Sequence, residues 1–330
     1  MQILAQLAGL ARGVVARVGW SSVGTVGSLM LVAAALITLC ALLRDIGLEA
    51  VLAAIRATPP LAVLAASGLV FVGYGTVTLY DYVALRAIGR HEVPYGVAAF
   101  AGFTASAIGN GLGVGLLTGG AVRLRIYARW GLGLIEVTKI GFITGLTFWL
   151  GNVSALGFAL TLASEQAAAA TKLPPWANQA VGLLALIGVA SYIAWLLRGT
   201  RAIGTNNFRL TLPDARLTFL QIAIGLFDLA IGSLATYVLL PAVPSTDYLT
   251  IAVVYVMAAL FGFLCHAPAS LGAFEVAMLL LLPQYQKEAL LGSLLILHFL
   301  YLVLPLGGAL VALVLREAWT GKAGAMAELR

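Results

Sequence analysis

The sequence predicts an all-α fold: a polytopic transmembrane helical bundle of about six full spans and two re-entrant helical hairpins. Three observations predict it. The chain is 62% hydrophobic and only 10% charged, where a soluble domain carries about 25% charged residues, so its charges are too few to clothe a water-exposed surface. Apolar runs recur at the length of about 20 residues that a helix needs to cross a bilayer. Two further apolar segments are interrupted near their middles by Gly and Pro.

In chain order, residues 1–19 read as a cytoplasmic N-terminal segment, with Arg12 and Arg17 ahead of an apolar run. That run is too long for a signal-peptide core and lacks a small-x-small site before Arg44, so it reads as a retained first span over 20–43. Asp45 to Arg56 repeats its apolar residues at helical spacing and ends at Pro59-Pro60, which fits a short amphipathic helix lying in the interface. Further spans fall at 60–84, 134–162, 177–197, 217–240 and 289–315. The membrane domain as a whole covers 20–316, and 317–330 forms a cytoplasmic tail.

The first interrupted segment, 95–130, carries Gly109, Gly111, Gly113, Gly115, Gly119 and Gly120. Each Gly costs a helix about 1 kcal/mol relative to Ala, so a continuous helix is not expected there. The second, 248–283, is broken by Pro268 and Gly272 into halves too short to cross. Irregular backbone at membrane depth persists only where protein or a water-filled cavity covers it, so both segments read as hairpins returning to their starting side. Of the 19 Lys and Arg residues, all but Arg44, Arg56, Lys172 and Lys287 then fall on the side of both termini, which the positive-inside rule makes cytoplasmic. One hairpin enters from each side, the arrangement of an inverted-repeat transporter with a site near the midplane.

Several function classes are excluded. The basic residues are scattered between spans and form no nucleic-acid face. There is no phosphate loop, HExxH or GxSxG, and the alternating glycines lack the βαβ context of a dinucleotide site. Cys40 and Cys265 stand far apart in apolar surroundings, so neither a metal nor any other cofactor is expected. What remains are charges inside or beside apolar runs, which in a membrane point to a pathway or a site. Asp228 lies mid-span; a structural ion pair is the alternative to a functional role. Glu275 follows the Pro268/Gly272 break, where the N-terminus of a half-helix favours an anion. Asp81 and Glu136 lie near span ends. Arg123 and Arg125 adjoin Gly119 and Gly120, and guanidinium forks beside glycine amides suit a phosphate. Arg129 reads equally well as a headgroup anchor. His91, His266 and His298 are dispersed, with no pair at ligand spacing.

The stretch Thr118-Gly-Gly-Ala-Val-Arg-Leu-Arg-Ile-Tyr-Ala-Arg-Trp-Gly-Leu132, with Glu136 and Thr147-Phe-Trp-Leu-Gly151, resembles the membrane domain of the lysylphosphatidylglycerol synthetase/flippases, the multiple peptide resistance factor family. So does His266-Ala-Pro-Ala-Ser-Leu-Gly-Ala-Phe-Glu275, although Pro268-Ala-Ser-Leu-Gly272 stands where members read Pro-Gly-Gly-Leu-Gly. The resemblance spans about residues 20–316 and leaves out the aminoacyl-transferase domain, so the chain is expected to be no enzyme. It is either a stand-alone relative or the N-terminal part of a longer protein. The resemblance implies a flippase that carries aminoacylated phosphatidylglycerol to the outer leaflet of the bacterial inner membrane and contributes to antimicrobial peptide resistance. Arg123 and Arg125, with the Gly119 and Gly120 amides, would hold the lipid phosphate; Asp228, Glu275, Asp81 and Glu136 would hold the ammonium groups. The alternatives are a scaffold for a separate synthetase, or a flippase for another polar lipid or an isoprenoid phosphate. Spans rich in small residues also suit a homodimer.

Overall fold

The computed structural model describes residues 47–112, 115–199, 201–205, 208–265 and 270–327. The predicted N-terminal segment and first span, together with Gly113, His266 and Pro268, lie outside the described residues. The fold is the expected helical membrane bundle. Five helices are long and apolar enough to cross a membrane. They start and stop close to the predicted spans.

Helix α1 (Leu48–Ala57) is short and amphipathic. Pro59-Pro60 separates it from α2 (Pro60–Ala87), where proline at the first helical position presets φ without losing a needed donor. Helices α3 (Tyr95–Leu112) and α4 (Gly115–Tyr127) pack side by side, and a 3-10 turn at Ala128–Trp130 leads on to α5 (Leu134–Leu162). A short α6 (Ser164–Thr171) precedes α7 (Pro175–Leu197), which again opens on proline.

Strands β1 (Ala202–Thr205) and β2 (Phe208–Thr211) then pair antiparallel, with Ala202 opposite Thr211 and Thr205 opposite Phe208. The sequence reading had no strand here. From the hairpin, Leu210 is buried in one cluster with Ile126, Tyr127 and Leu132.

Helix α8 (Ala215–Leu239) follows, then α9 (Tyr248–Leu264), α10 (Ala273–Leu281), α11 (Lys287–His298) and α12 (Leu304–Ala327). Between α11 and α12 a π-helical turn spans Phe299–Val303. The C-terminal helix therefore runs well past the predicted end of its span at 315.

Both re-entrant hairpins are present, and their ends show which way each opens. Arg90, just before α3, pairs with Glu136 at the start of α5, so α3–α4 returns to the side it left. At the other end of the bundle Gln284, after α10, donates to Thr246, before α9, at 3.4 Å. The two hairpins thus enter from opposite ends. The first end also gathers the β-hairpin, the Arg125–Glu317 pair and Arg316 over the Phe100 ring. The second gathers α1, which packs on α11 where Gly292 meets Ala54 and Ile55.

Glycines set the closest helix contacts, which is how helices associate where lipid is as apolar as their side chains. A Cβ on Gly225 of α8 would lie 2.6 Å from the Gly151 Cα of α5, and one on Gly182 of α7 would lie 2.8 Å from the Gly157 carbonyl. Beside the first crossing, Gln221 donates to Thr147 at 2.7 Å.

The same need places glycines where the sequence suggested helix breaks. Gly109 and Gly111 lie inside α3, and Gly119 and Gly120 inside α4. At Gly111 a side chain would meet Leu306 at 2.9 Å, and at Gly119 the Ala105 carbonyl at 2.8 Å. Gly111 and Gly119 thus admit neighbours, whereas Gly120 meets nothing within 4 Å. None of the four interrupts its own helix, although the segment does divide inside the glycine run, with α3 ending at Leu112 and α4 starting at Gly115. Gly272, by contrast, does sit at a reversal, with φ at 84°, in the left-handed region that glycine adopts freely.

Candidate functional site

Polar side chains gather at mid-depth, where an unpaired polar atom is most costly. Asp228 occupies the middle of α8. Its Oδ2 lies 3.5 Å from the Tyr80 hydroxyl of α2. Its Oδ1 is buried without a hydrogen-bond partner among the described residues. Tyr74 of α2, Tyr255 of α9 and Tyr301 of the π turn also stand within electrostatic reach of this carboxylate. Two glycines make room for the ring of tyrosines. The Tyr255 hydroxyl sits over Gly232, one helical turn from Asp228, and the Tyr301 hydroxyl over Gly73.

The π turn has a local cause. Pro305 carries no N–H for the carbonyl four residues back, that of Tyr301. The Tyr74 hydroxyl donates to that carbonyl at 2.8 Å. The backbone irregularity and the tyrosine ring are thereby one arrangement, and π turns recur at functional positions in helices.

Next to this ring lies a second buried group. Glu275, 3% exposed, is the third residue of α10; its Oε2 accepts from the Gly272 amide at 2.8 Å, capping the half-helix. Its Oε1 is 2.9 Å from His298 Nδ1, at the end of α11. Phe274 bridges the two groups, its ring 5.7 Å from that of Tyr255 and 5.8 Å from that of His298. Asp228 and Glu275, 47 residues apart by their numbers, thus belong to one mid-depth cluster.

The other predicted residues sit elsewhere. Arg123 does not present its fork to open space. It donates from Nε to both Asp81 oxygens at 3.0 Å and from Nη2 to Oδ1 at 2.7 Å, while the Tyr127 hydroxyl adds a bond at 2.8 Å. Asp81 is fully buried. This pair fastens the first hairpin to α2. Arg125 is exposed and paired with Glu317. Glu136 caps the Gly133 amide at 2.6 Å and pairs with Arg90 at the first end of the bundle, far in the fold from Asp228. Gly119 and Gly120, inside α4, have amides committed to the helix ladder and form no open cradle. Outside the spans, Glu92 is held below the usual carboxylate range by a backbone hydrogen bond and by Arg90.

Residue-level reading missed Tyr74, Tyr80, Tyr255 and Tyr301 and set His298 aside. The one available signal was that these polar-tipped side chains fall inside spans. The apolar cavity between α5 and α7, about 310 Å³ and lined by Leu146, Trp149, Leu184, Gly188 and Tyr192, contains none of the charged residues.

Comparison with known proteins agrees with a membrane assignment. No family model matches the chain. It is 30% identical over 274 residues to the uncharacterized protein slr0712 of Synechocystis sp., covering 82% of this chain and 84% of that protein. It is 26% identical over 300 residues to the inner membrane protein YbhN of Escherichia coli, covering 88% of this chain and 91% of that one.

Proposed function

Since the chain belongs to the membrane-protein family of Synechocystis slr0712, we propose that it moves a polar lipid between the leaflets of the bacterial inner membrane, with the headgroup passing Asp228. The observation that carries this reading is the buried Asp228 Oδ1, without a hydrogen-bond partner among the described residues and surrounded by tyrosines. A carboxylate oxygen with no donor in a low-dielectric interior calls for a cation or a proton. Tyrosine rings add cation–π attraction for an ammonium group. Two hairpins that enter from opposite ends give a headgroup a route to this depth from either side while the acyl chains stay in lipid.

The cargo is a phospholipid bearing an amine. The resemblance to the lysylphosphatidylglycerol flippases makes the lysyl ester the first to test. In this reading Arg125 meets the lipid phosphate at headgroup level by exchanging its exposed partner, Glu317. Arg123 keeps its structural bond to Asp81, and Glu136 keeps its cap.

Purified protein in liposomes containing fluorescent lysylphosphatidylglycerol tests this, with dithionite quenching reporting the exposed leaflet. Asp228→Asn is expected to slow transfer about tenfold, as loss of one charge-assisted hydrogen bond implies. Equal rates for the variant and the parent, at equal incorporation, would remove Asp228 from the pathway.

A further inference from the structure

The π-turn segment touches the tips of both hairpins. Leu306, just beyond it, packs against Gly111 near the end of α3. His298, just before it, holds Glu275 at the start of α10. Tyr301, within it, accepts from the Tyr74 hydroxyl at its carbonyl and lies within electrostatic reach of Asp228. A change at His298 is thus one residue away from the element that completes the lipid site.

The chemistry of His298 is defined by its neighbours. Nδ1 faces two acceptors, Glu275 Oε1 at 2.9 Å and the Leu294 carbonyl at 3.1 Å, so Nδ1 carries the hydrogen. Nε2 is left to gain or lose a proton. Glu275 is fixed as an anion by the Gly272 amide and by the N-terminus of α10. With Nε2 protonated the pair is neutral; with Nε2 bare, a net negative charge remains at the hairpin tip. The reversal there is held by Ser270 and Gly272, both at positive φ.

The surrounding titratable groups are few among the described residues. Glu275 comes from α10. Tyr255 of α9 and Asp228 of α8 lie behind Phe274, and Tyr74 and Tyr80 come from α2. Glu49 and Arg56 of α1 are exposed, and α1 meets α11 at Gly292, well before His298.

We infer that His298 and Glu275 form a proton-binding site whose occupancy drives lipid movement through Asp228, so that one proton passes inward for each headgroup passing outward. The inference rests on the proposed lipid transport. His298 Nε2 takes one proton from water on one side and returns it to water on the other, with no other bond made or broken. Exchange of a proton for a headgroup of net charge +1 is electroneutral, so the inside-negative potential no longer opposes export.

The full chain in liposomes tests this, with pyranine trapped inside and fluorescent lysylphosphatidylglycerol as cargo. A gradient of one pH unit is expected to drive proton flux and to shift the lipid distribution about tenfold. His298→Gln keeps a donor toward Glu275 but cannot gain a proton. It is expected to abolish the flux and the gradient dependence while slow downhill transfer continues. His298→Asn serves the same comparison if the first variant does not incorporate. Proton flux in the parent no greater than in protein-free vesicles overturns the site, whether or not lipid moves. Flux that persists in both variants overturns its assignment to His298. Flux in the parent without lipid transfer supports the proton site and overturns the proposed cargo.

Discussion

Asp81 and Arg123 stand 42 residues apart and meet in a buried, multiply hydrogen-bonded pair. Removing one partner from such a pair strands the other charge, at a cost of about 3–5 kcal/mol. Asp81→Asn is therefore expected to lower the thermal midpoint in detergent far more than the double replacement Asp81→Leu with Arg123→Met, which removes both charges. Equal destabilisation by the two would show that the pair contributes through shape alone. Both residues could be singled out from the sequence as charges beside apolar runs, but their partnership could not, since it depends on how the first hairpin folds onto α2. The tyrosines were harder still. An isolated Tyr in a span resembles any interfacial aromatic, and only the convergence of α2, α8, α9 and the π turn distinguishes these four. Asp228 was legible because a lone carboxylate in mid-span has few innocent explanations.

At the scale of single elements, caps and proline positions decide where helices begin. Asp247 caps α9, accepting from the Thr250 amide at 3.0 Å and the Thr250 hydroxyl at 2.6 Å. Those bonds hold its carboxyl below the usual carboxylate range. A carboxyl depressed on folding stabilises above its unfolded value and stops doing so as pH falls through its folded one. Asp247→Ala is expected to cost about 1 kcal/mol. The loss should be visible as a lower unfolding midpoint at neutral pH and should shrink in acid; a difference independent of pH would reject the charged cap. Spans were read well because hydropathy and length report them directly: 134–162 matches α5 to the residue. Glycines were read less well. Intrinsic propensity treats Gly111 and Gly119 as breakers, yet what fixes them is the nearness of Leu306 and Ala105, which is tertiary. The β-hairpin was missed for the same reason, since its anchor, Leu210, finds its pocket only in the assembled bundle.

For the molecule as a whole, charge orients what geometry builds. The end that holds the opening of the first hairpin carries Arg86, Arg90, Arg129, Arg198, Arg201, Arg209 and Arg216, whereas the other holds Arg56, Lys172 and Lys287. From the positive-inside rule we propose that the first end faces the cytoplasm. An alkaline phosphatase fusion after Pro283 is accordingly expected to be active, reporting a periplasmic position, and an inactive one would invert the layout. The glycine crossings carry a mechanical consequence. Helices α5, α7 and α8 approach backbone to backbone at Gly151–Gly225 and Gly157–Gly182, with Thr161 and Leu186 packed beside the second crossing. Contacts this close leave little room for these three helices to slide past one another, so together they form a stiff frame. The bent C-terminal helix, whose elbow lies near the tips of the two hairpins, stands outside that frame.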